Sequence, residues 1–460
     1  MTTTTASPGS PNPPGSPASS RATPARRVEN ALATGIAKVT GSALGPYQTA
    51  VVRIGFALTW LGFLLREFPH RHQLYGPDSP WSWELAQRQT ALHDPFTMLL
   101  WSRQDSWFEV VYALAVLSAL GLLLGWRTRT MSVLFMLGVF SFMNRSVIVG
   151  DGGDNVVHLM AGYLVLTRCG QVWSLDARRR RRQESGAARP GPDLVGVWLW
   201  TVLGFFLLLF CALGRIEWFW TLGPVAHMPG WGFALCTIWL SQGAWWYVRE
   251  RPAGEPRAVL DALANLVHNA GLLIIVVQVC FIYATAGWYK ISGSRWQDGT
   301  AVYYPLKLDY FSPWPALGDV LAASGTMVMI VSYGTVMVQV AFPFTLFNRR
   351  LKNALLALMI VEHLSIAVLL GLPFFSLAMI SADAVFLPTV FLVWAGARIS
   401  ALPRRLLRGR RAEAEPTEAP ATAAGVIPAP RQGSPSAPVS APVSASEPEP
   451  EPEPEDVRTS

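Results

Sequence analysis

A chain of 460 residues that is 51% hydrophobic and only 15% charged departs from soluble domains, which carry about 25% charged residues. With 19 Trp, 22 Phe and a mean hydropathy of +0.30, it reads as an all-α, polytopic helical membrane bundle. The net charge of +7 lies in short arginine clusters between apolar runs, which suits cytoplasmic loops and is not the footprint of a nucleic-acid binder.

Residues 1–44 are rich in Thr, Ser, Pro and Ala and are expected to form a disordered tail, with Arg26 and Arg27 near its end. No charged segment followed by an apolar core opens the chain, so the first membrane helix is expected to direct insertion. A transmembrane domain is expected over 45–397, with about ten spans. They fall at 49–65, 108–124, 131–148, 155–166, 194–213, 232–248, 262–288, 325–347, 354–370 and 375–394. Arg53 lies inside the first and should face the bundle interior or a headgroup. Spans five and six read as an inserted hairpin, 193–250. A basic juxtamembrane segment, 398–411, precedes a second disordered tail, 412–460. Cys169, Cys211, Cys236 and Cys280 lie in or beside apolar runs without CxxC spacing. They read as small core residues, with no disulfide frame and no metal site.

With the N-terminus cytoplasmic, Arg127/Arg129, Arg178–Arg182, Arg249/Arg251/Arg257, Arg349/Arg350/Lys352 and the cluster at 404–411 all fall inside. The C-terminus is then cytoplasmic too. Three polar groups are expected toward the opposite, extracytoplasmic side. The first is Asp151, Asp154 and His158. Asp154 and His158 are four residues apart, which places them on one helix face for a carboxylate–histidine pair. The plainer account is an N-cap and a core histidine. The second is Lys290 with Tyr283, Tyr289, Trp296 and Asp298. Of 37 lysines and arginines only Lys38, Lys290, Lys307 and Lys352 are lysine. Desolvated lysine can lose its proton and act as a base, which arginine cannot. The plainer account is a snorkelling lysine among belt aromatics. The third is Glu362 with His363 inside an apolar span, a default functional-site expectation. Adjacent helical residues point apart, so these two need not act together.

The segment AGWYKISGSRWQDG, Ala286 to Gly299, resembles the part of vitamin K-dependent gamma-carboxylase that carries its catalytic lysine. It is more broadly similar to the HTTM (horizontally transferred transmembrane) domain family. DGGDNVVHLMAGYLVL followed by WSLD resembles the family's earlier segment. EHLSIAVLLGLPFFSLAMISAD resembles its later histidine helix. The resemblance implies Lys290 as the base toward a reduced quinone of menaquinone or vitamin K type, with His158 and His363 as assisting histidines. The cluster around Lys290 makes Tyr283, Tyr289, Trp296 and Asp298 the candidate cofactor contacts; no metal-ligand spacing is present, so no metal is expected, and the apolar spans are expected to reside in the plasma membrane. Two departures stand beside the resemblance. Tyr289 replaces the family enzyme's second lysine, and the large lumenal C-terminal domain has no counterpart. Two expectations therefore follow: an enzyme acting on a quinol, or a non-catalytic membrane component that binds a lipid, quinone or peptide partner, as in toxin or peptide maturation and immunity.

Overall fold

The computed structural model describes residues 24–93, 95–146, 148–187, 193–222, 226–249 and 254–414. The chain is nearly all helical. In order, the helices are α1 (Pro24–Gly41), α2 (Pro46–Glu67), α3 (Arg71–Tyr75), α4 (Trp83–His93), α5 (Asp105–Leu124), α6 (Thr128–Met143), α7 (Gly152–Leu166), α8 (Leu175–Glu184) and α9 (Leu194–Ala212). A two-stranded antiparallel hairpin follows, β1 (Phe219–Leu222) against β2 (Ala226–Pro229). Then come α10 (Trp231–Arg249), α11 (Glu255–Ser292), α12 (Ser294–Gln297), α13 (Tyr303–Lys307), α14 (Pro315–Ala322), α15 (Gly325–Ala341), α16 (Arg349–Leu369), α17 (Pro373–Asp383) and α18 (Thr389–Ala414). Among the described residues, six helical segments are long and apolar enough to cross a membrane: Pro46–Tyr75, Asp105–Leu124, Leu194–Ala212, Glu255–Ser292, Gly325–Thr345 and Arg349–Leu369.

The chain is all-α but for this small β-hairpin, which joins α9 to α10. Two expectations need correction. Within the stretch expected as an N-terminal tail, Pro24–Gly41 is a helix. Asn265, His268 and Asn269, on one face of α11, hold its end: Asn265 Nδ2 donates to the Thr40 carbonyl, Asn269 Nδ2 to Val39 and Ser42, and His268 Nε2 bonds the Leu44 carbonyl, each at 2.8–2.9 Å. The expected span 375–394 is also not one helix. It breaks after Asp383 through a 3₁₀ turn, Ala384–Phe386, ahead of Pro388, whose missing N–H cannot continue a ladder. Residues 1–23 and 415–460 lie outside the described residues. The basic segment 398–411 lies within α18.

The core gathers around α2, whose Ala50, Val52, Phe56, Ala57 and Leu64 are fully buried. It packs against α5, α7 and α17. Gly55 allows α2 to meet α17: a Cβ there would lie 2.1 Å from Ser381 Oγ. In the middle of this apolar face sits Arg53, also fully buried. Its Nη1 donates to the carbonyls of Leu122 and, at 2.9 Å, Leu123. Its Nη2 reaches Trp173 O at 2.8 Å, and its Nε reaches Cys169 O at 3.2 Å. It thus caps the C-terminal end of α5 with donors that the helix lacks.

The WSLD segment completes this tie. Trp173 takes a left-handed backbone, φ 49°, and turns its carbonyl toward Arg53. Ser174 caps α8, accepting from Ala177 N at 2.9 Å. The Asp176 carboxylate accepts from Arg127 N, Thr128 N and Thr128 Oγ1 at 2.8–2.9 Å, and so caps α6 from another helix. Gly125, φ 69°, is required here, since a Cβ would stand 2.3 Å from the Ser174 Cβ. A second buried guanidinium, Arg145, fixes the loop before α4 through the carbonyls of Gly76 and Trp81 and the hydroxyl of Ser79.

Arg53→Met, which keeps volume but removes the donors, should leave at least three buried carbonyls unpaired. At about 1–3 kcal/mol for each lost partner, thermal unfolding in detergent should show a loss of about 3 kcal/mol or more. Arg66→Met, at an exposed site, serves as the control. Equal melting of the two variants would refute the structural role assigned to Arg53.

Candidate functional site

The polar side chains of the second half of the chain meet where α11, α15, α16 and α17 pack together. Tyr283 and Lys290 are seven residues apart on α11, two helical turns, and so share a face. Between them Gly287 is buried against α15. A Cβ there would stand 2.6 Å from Val340 Cγ2. This close approach brings Gln339 of α15 to Lys290.

Two networks result. In the first, Lys290 Nζ donates to Gln339 Oε1 at 2.8 Å, and Gln339 Nε2 donates to Glu362 Oε1 at 2.6 Å. An ionised Glu362 orients the amide this way, since a carboxylate offers only acceptors and so takes the Nε2 side. Lys290 Nζ also lies 5.3 Å from the centre of the Trp296 ring, within range of a cation–π contact. In the second network, the Tyr283 hydroxyl donates to the Asp383 carboxylate, with 2.9 Å to each oxygen. It lies 3.0 Å from His363 Nε2. Tyr283, His363 and Asp383 are all buried. Among the described residues no lysine or arginine pairs with Asp383, so the phenol is what satisfies its charge.

The second network has two proton arrangements. With Asp383 ionised, the Tyr283 hydroxyl donates a hydrogen bond to the carboxylate. His363 then donates from Nε2, and its Nδ1 carries a bare lone pair. With Asp383 protonated, the acid donates to the phenol oxygen and Tyr283 donates to Nε2. Nδ1 of a neutral ring then carries the hydrogen. His363 Nδ1 is buried without a hydrogen-bond partner. The His363 ring stands 5.8 Å from the ring of Phe375, whose backbone abuts Gly153 at the start of α7. The arrangement can hold and pass a proton among three groups, with Lys290 and Glu362 one bridging amide apart alongside.

The structure sorts the residues picked out from sequence. Lys290, Tyr283, Trp296, Glu362 and His363 come together. Glu362 and His363 do point apart, yet both face the same helical junction, one toward Gln339 and the other toward Tyr283. Tyr289 does not join them: its side chain is 79% exposed. Asp298 does not pair with Lys290. It caps its own turn, accepting from Thr300 N at 3.0 Å and Thr300 Oγ1 at 2.5 Å, with Arg295 3.8 Å away. His158 lies edge-on against Phe140 at 4.4 Å, and among the described residues no hydrogen bond joins it to Asp154. Asp154 instead completes a capping box with Asp151, accepting from Asp151 N at 2.8 Å. Gln339 and Asp383 were not singled out. Each is a polar residue inside an otherwise apolar run, which is the signal that could have found them.

No protein-family model matches this chain. The uncharacterized protein YitO of Bacillus subtilis (strain 168) is 29% identical over 151 residues, which are 32% of this chain. The chain thus spans about half of that relative, 47% of its length. No solved structure matches.

Tyr283→Phe removes the hydroxyl from both Asp383 and His363. It should lower the unfolding free energy in detergent by about 1–3 kcal/mol, because a buried acceptor is left unpaired. Tyr289→Phe should leave the melting temperature unchanged. A Tyr283→Phe protein as stable as wild type would show that the phenol does not satisfy Asp383.

Proposed function

We propose that this chain is a multi-pass membrane protein akin to the HTTM and vitamin K-dependent gamma-carboxylase-like proteins, in which Lys290 acts as a base toward a reduced quinone. The observation that carries the reading is the Lys290–Gln339–Glu362 relay set beside Tyr283, His363 and Asp383 on otherwise apolar helices. Ionisable groups at such positions are costly and mark proton or substrate paths. In this reading the chain crosses the bilayer about ten times, with α17 and α18 forming one broken crossing and both termini cytoplasmic. The Lys290 end of α11 faces the extracytoplasmic side.

The chemistry assigned to the chain's own residues is proton transfer. A neutral Lys290 amine takes the proton of a quinol hydroxyl. The ammonium that forms is balanced by Glu362, one amide away. Positioned bases of this kind contribute about 10²–10⁴-fold to rate. A simple anchor would turn toward headgroups or pair with Asp298. Lys290 instead turns to Gln339, which favours the base reading.

A second reading keeps the same site without catalysis: a membrane component that binds a lipid, quinone or peptide, as in toxin or peptide maturation. It is favoured by the engagement of Lys290 on two sides, by Gln339 and by the Trp296 ring.

Oxygen-dependent oxidation of reduced menaquinone by the purified protein separates the two. Lys290→Ala and Lys290→Arg should each lower turnover about 10²-fold or more while folding is kept, because arginine retains charge but not basicity. No turnover in the wild type, or turnover in both variants unchanged from the wild type, would leave the binding reading as the better account.

A further inference from the structure

The helix α1 carries an apolar stripe that belongs to no core. At 3.6 residues per turn, Ala25, Val28, Leu32, Ile36 and Val39 fall within one arc of about 80°. Arg26 and Lys38 stand on either side of that arc, with Glu29 at one margin. Arg27, Asn30 and Thr34 occupy the far face. The helix thus carries three cations and one anion. Val28, Leu32 and Ile36 are 60%, 62% and 62% exposed, and every residue from 25 to 38 is exposed. Three large apolar side chains in a row about 12 Å long, all facing outward, call for an apolar medium to cover them.

The place of α1 says what that medium is. Its C-terminal end is pinned to α11. Asn265 Nδ2 donates to Thr40 O, and Asn269 Nδ2 donates to Val39 O and Ser42 O. These bonds serve carbonyls that the end of a helix leaves bare. The following turn is fixed as well. Leu44 N donates to Asn269 Oδ1 at 2.8 Å, and His268 Nε2 bonds Leu44 O at 2.8 Å. Gly45, φ 57°, then turns the chain into α2, with Pro46 as its first residue. Both α2 and α11 lie in segments long and apolar enough to cross a membrane, Pro46–Tyr75 and Glu255–Ser292. The end of α1 is therefore tied to the point where α2 begins, beside α11. Leu260, Leu263 and Val267 take the other side of α11, where they line a cavity of about 780 Å³ under the hairpin of α9 and α10. So α1 is held on the face of α11 away from that hairpin.

A helix pinned at the start of a membrane-crossing segment has the surface of the bilayer beside it. Helices with one apolar face, a cationic polar face and low overall hydrophobicity lie in that surface. Lysine and arginine at the margins keep their stems on apolar ground while their charged ends reach the headgroups.

We propose that α1 is an interfacial helix. It lies in the bilayer surface where α2 enters, with Val28, Leu32 and Ile36 among the acyl chains and Arg26, Arg27 and Lys38 at the lipid phosphates. This placement requires that α2 cross the bilayer, and it is independent of the role of Lys290.

The full chain in nanodiscs of mixed phosphatidylglycerol and phosphatidylcholine, doped with a phosphatidylcholine that carries a diazirine early in its acyl chain, tests it. Trypsin cuts after Arg27 and Lys38, and after Arg53 and Arg66, so α1 and α2 are read in separate peptides, 28–38 and 54–66. After irradiation both peptides should carry lipid. Leu32→Glu should lower labelling of 28–38 about tenfold or more, the factor that burial of one leucine side chain supplies. Thr34→Glu, which adds the same charge on the opposite face, should leave it unchanged. Labelling of 54–66 should be the same in all three proteins, which shows that the variants insert and fold. Label in 54–66 without label in 28–38 would overturn the proposal. So would equal effects of the two substitutions, or no effect of Leu32→Glu. Cross-links between the α1 helices of two copies, with no lipid on 28–38, would overturn it by assigning the stripe to a second chain. Absence of label from both peptides would remove the premise that α2 crosses the bilayer, and the proposal with it.

Discussion

A guanidinium placed among apolar helices keeps its charge, so the fold must bring acceptors to it from several directions. Arg53 finds its acceptors in the end of α5 and in the connection between α7 and α8. Meeting it there requires a left-handed glycine at Gly125 and a left-handed Trp173, and it draws Ser174 and Asp176 into caps on α8 and α6. Four helices are thereby set in register around α2. That register lets Gly55 close onto Ser381 of α17, two residues before Asp383. Asp383 in turn bonds Tyr283 on α11, and the same face of α11 carries Lys290. The candidate site is thus the far end of a series of fixed contacts that begins at one buried arginine.

The same rule of satisfaction shapes the site. The Tyr283, His363 and Asp383 network is closed and buried, with one nitrogen left over. In the other network Lys290 and Glu362 are half-buried about a buried Gln339, with the Trp296 ring on one side. Hydrogen bonds among the buried Tyr283, His363 and Asp383 are the stronger for their low-dielectric surroundings. The break between α17 and α18 falls at the buried end. Interrupted helices inside a bundle are tolerated where side chains take up the freed backbone groups. Lys352 does so here, by donating to the Phe386 carbonyl.

Most of the long helices were legible because a membrane-length apolar run needs no partner to be recognised. Their ends were legible where a cap or a charge marks them, as with the DGGD turn. Side-chain direction was less legible. Tyr289 and Lys290 are neighbours in sequence but about 100° apart on the helix, so an aromatic beside a lysine in the chain is not beside it in space. Asp298 reads from sequence as a partner for Lys290, yet the local Asx turn with Thr300 takes it first. Gln339 and Asp383 are less legible, because a neutral bridge and a lone acid do not carry the signal that histidine, lysine or paired acids give. The WSLD segment was recognised by resemblance. Its work as a double cap follows only from the meeting of α5, α6 and α8, which no local pattern encodes. The helix α1 was hidden by its tail-like composition. It is held in place by three polar residues of α11 rather than by an apolar core.

The length of α11 separates the hairpin of α9 and α10 from Lys290. At 38 residues it spans about 57 Å, well beyond the 30 Å of a hydrocarbon core. Leu260 to Val267, near its start, line the cavity under the hairpin, and Lys290 stands near its end. From Val267 to Lys290 is about 35 Å of helix. Influence of one on the other would have to pass through α11 itself. That helix is held at its start by the clasp on α1 and by the bond from Arg168 N to His268, and near its end by Tyr283 and Gln339. A helix tied at both ends moves as a rod, so a ligand that shifted the hairpin could reach Lys290 only by displacing those ties, which are hydrogen bonds to buried partners and costly to leave unmade.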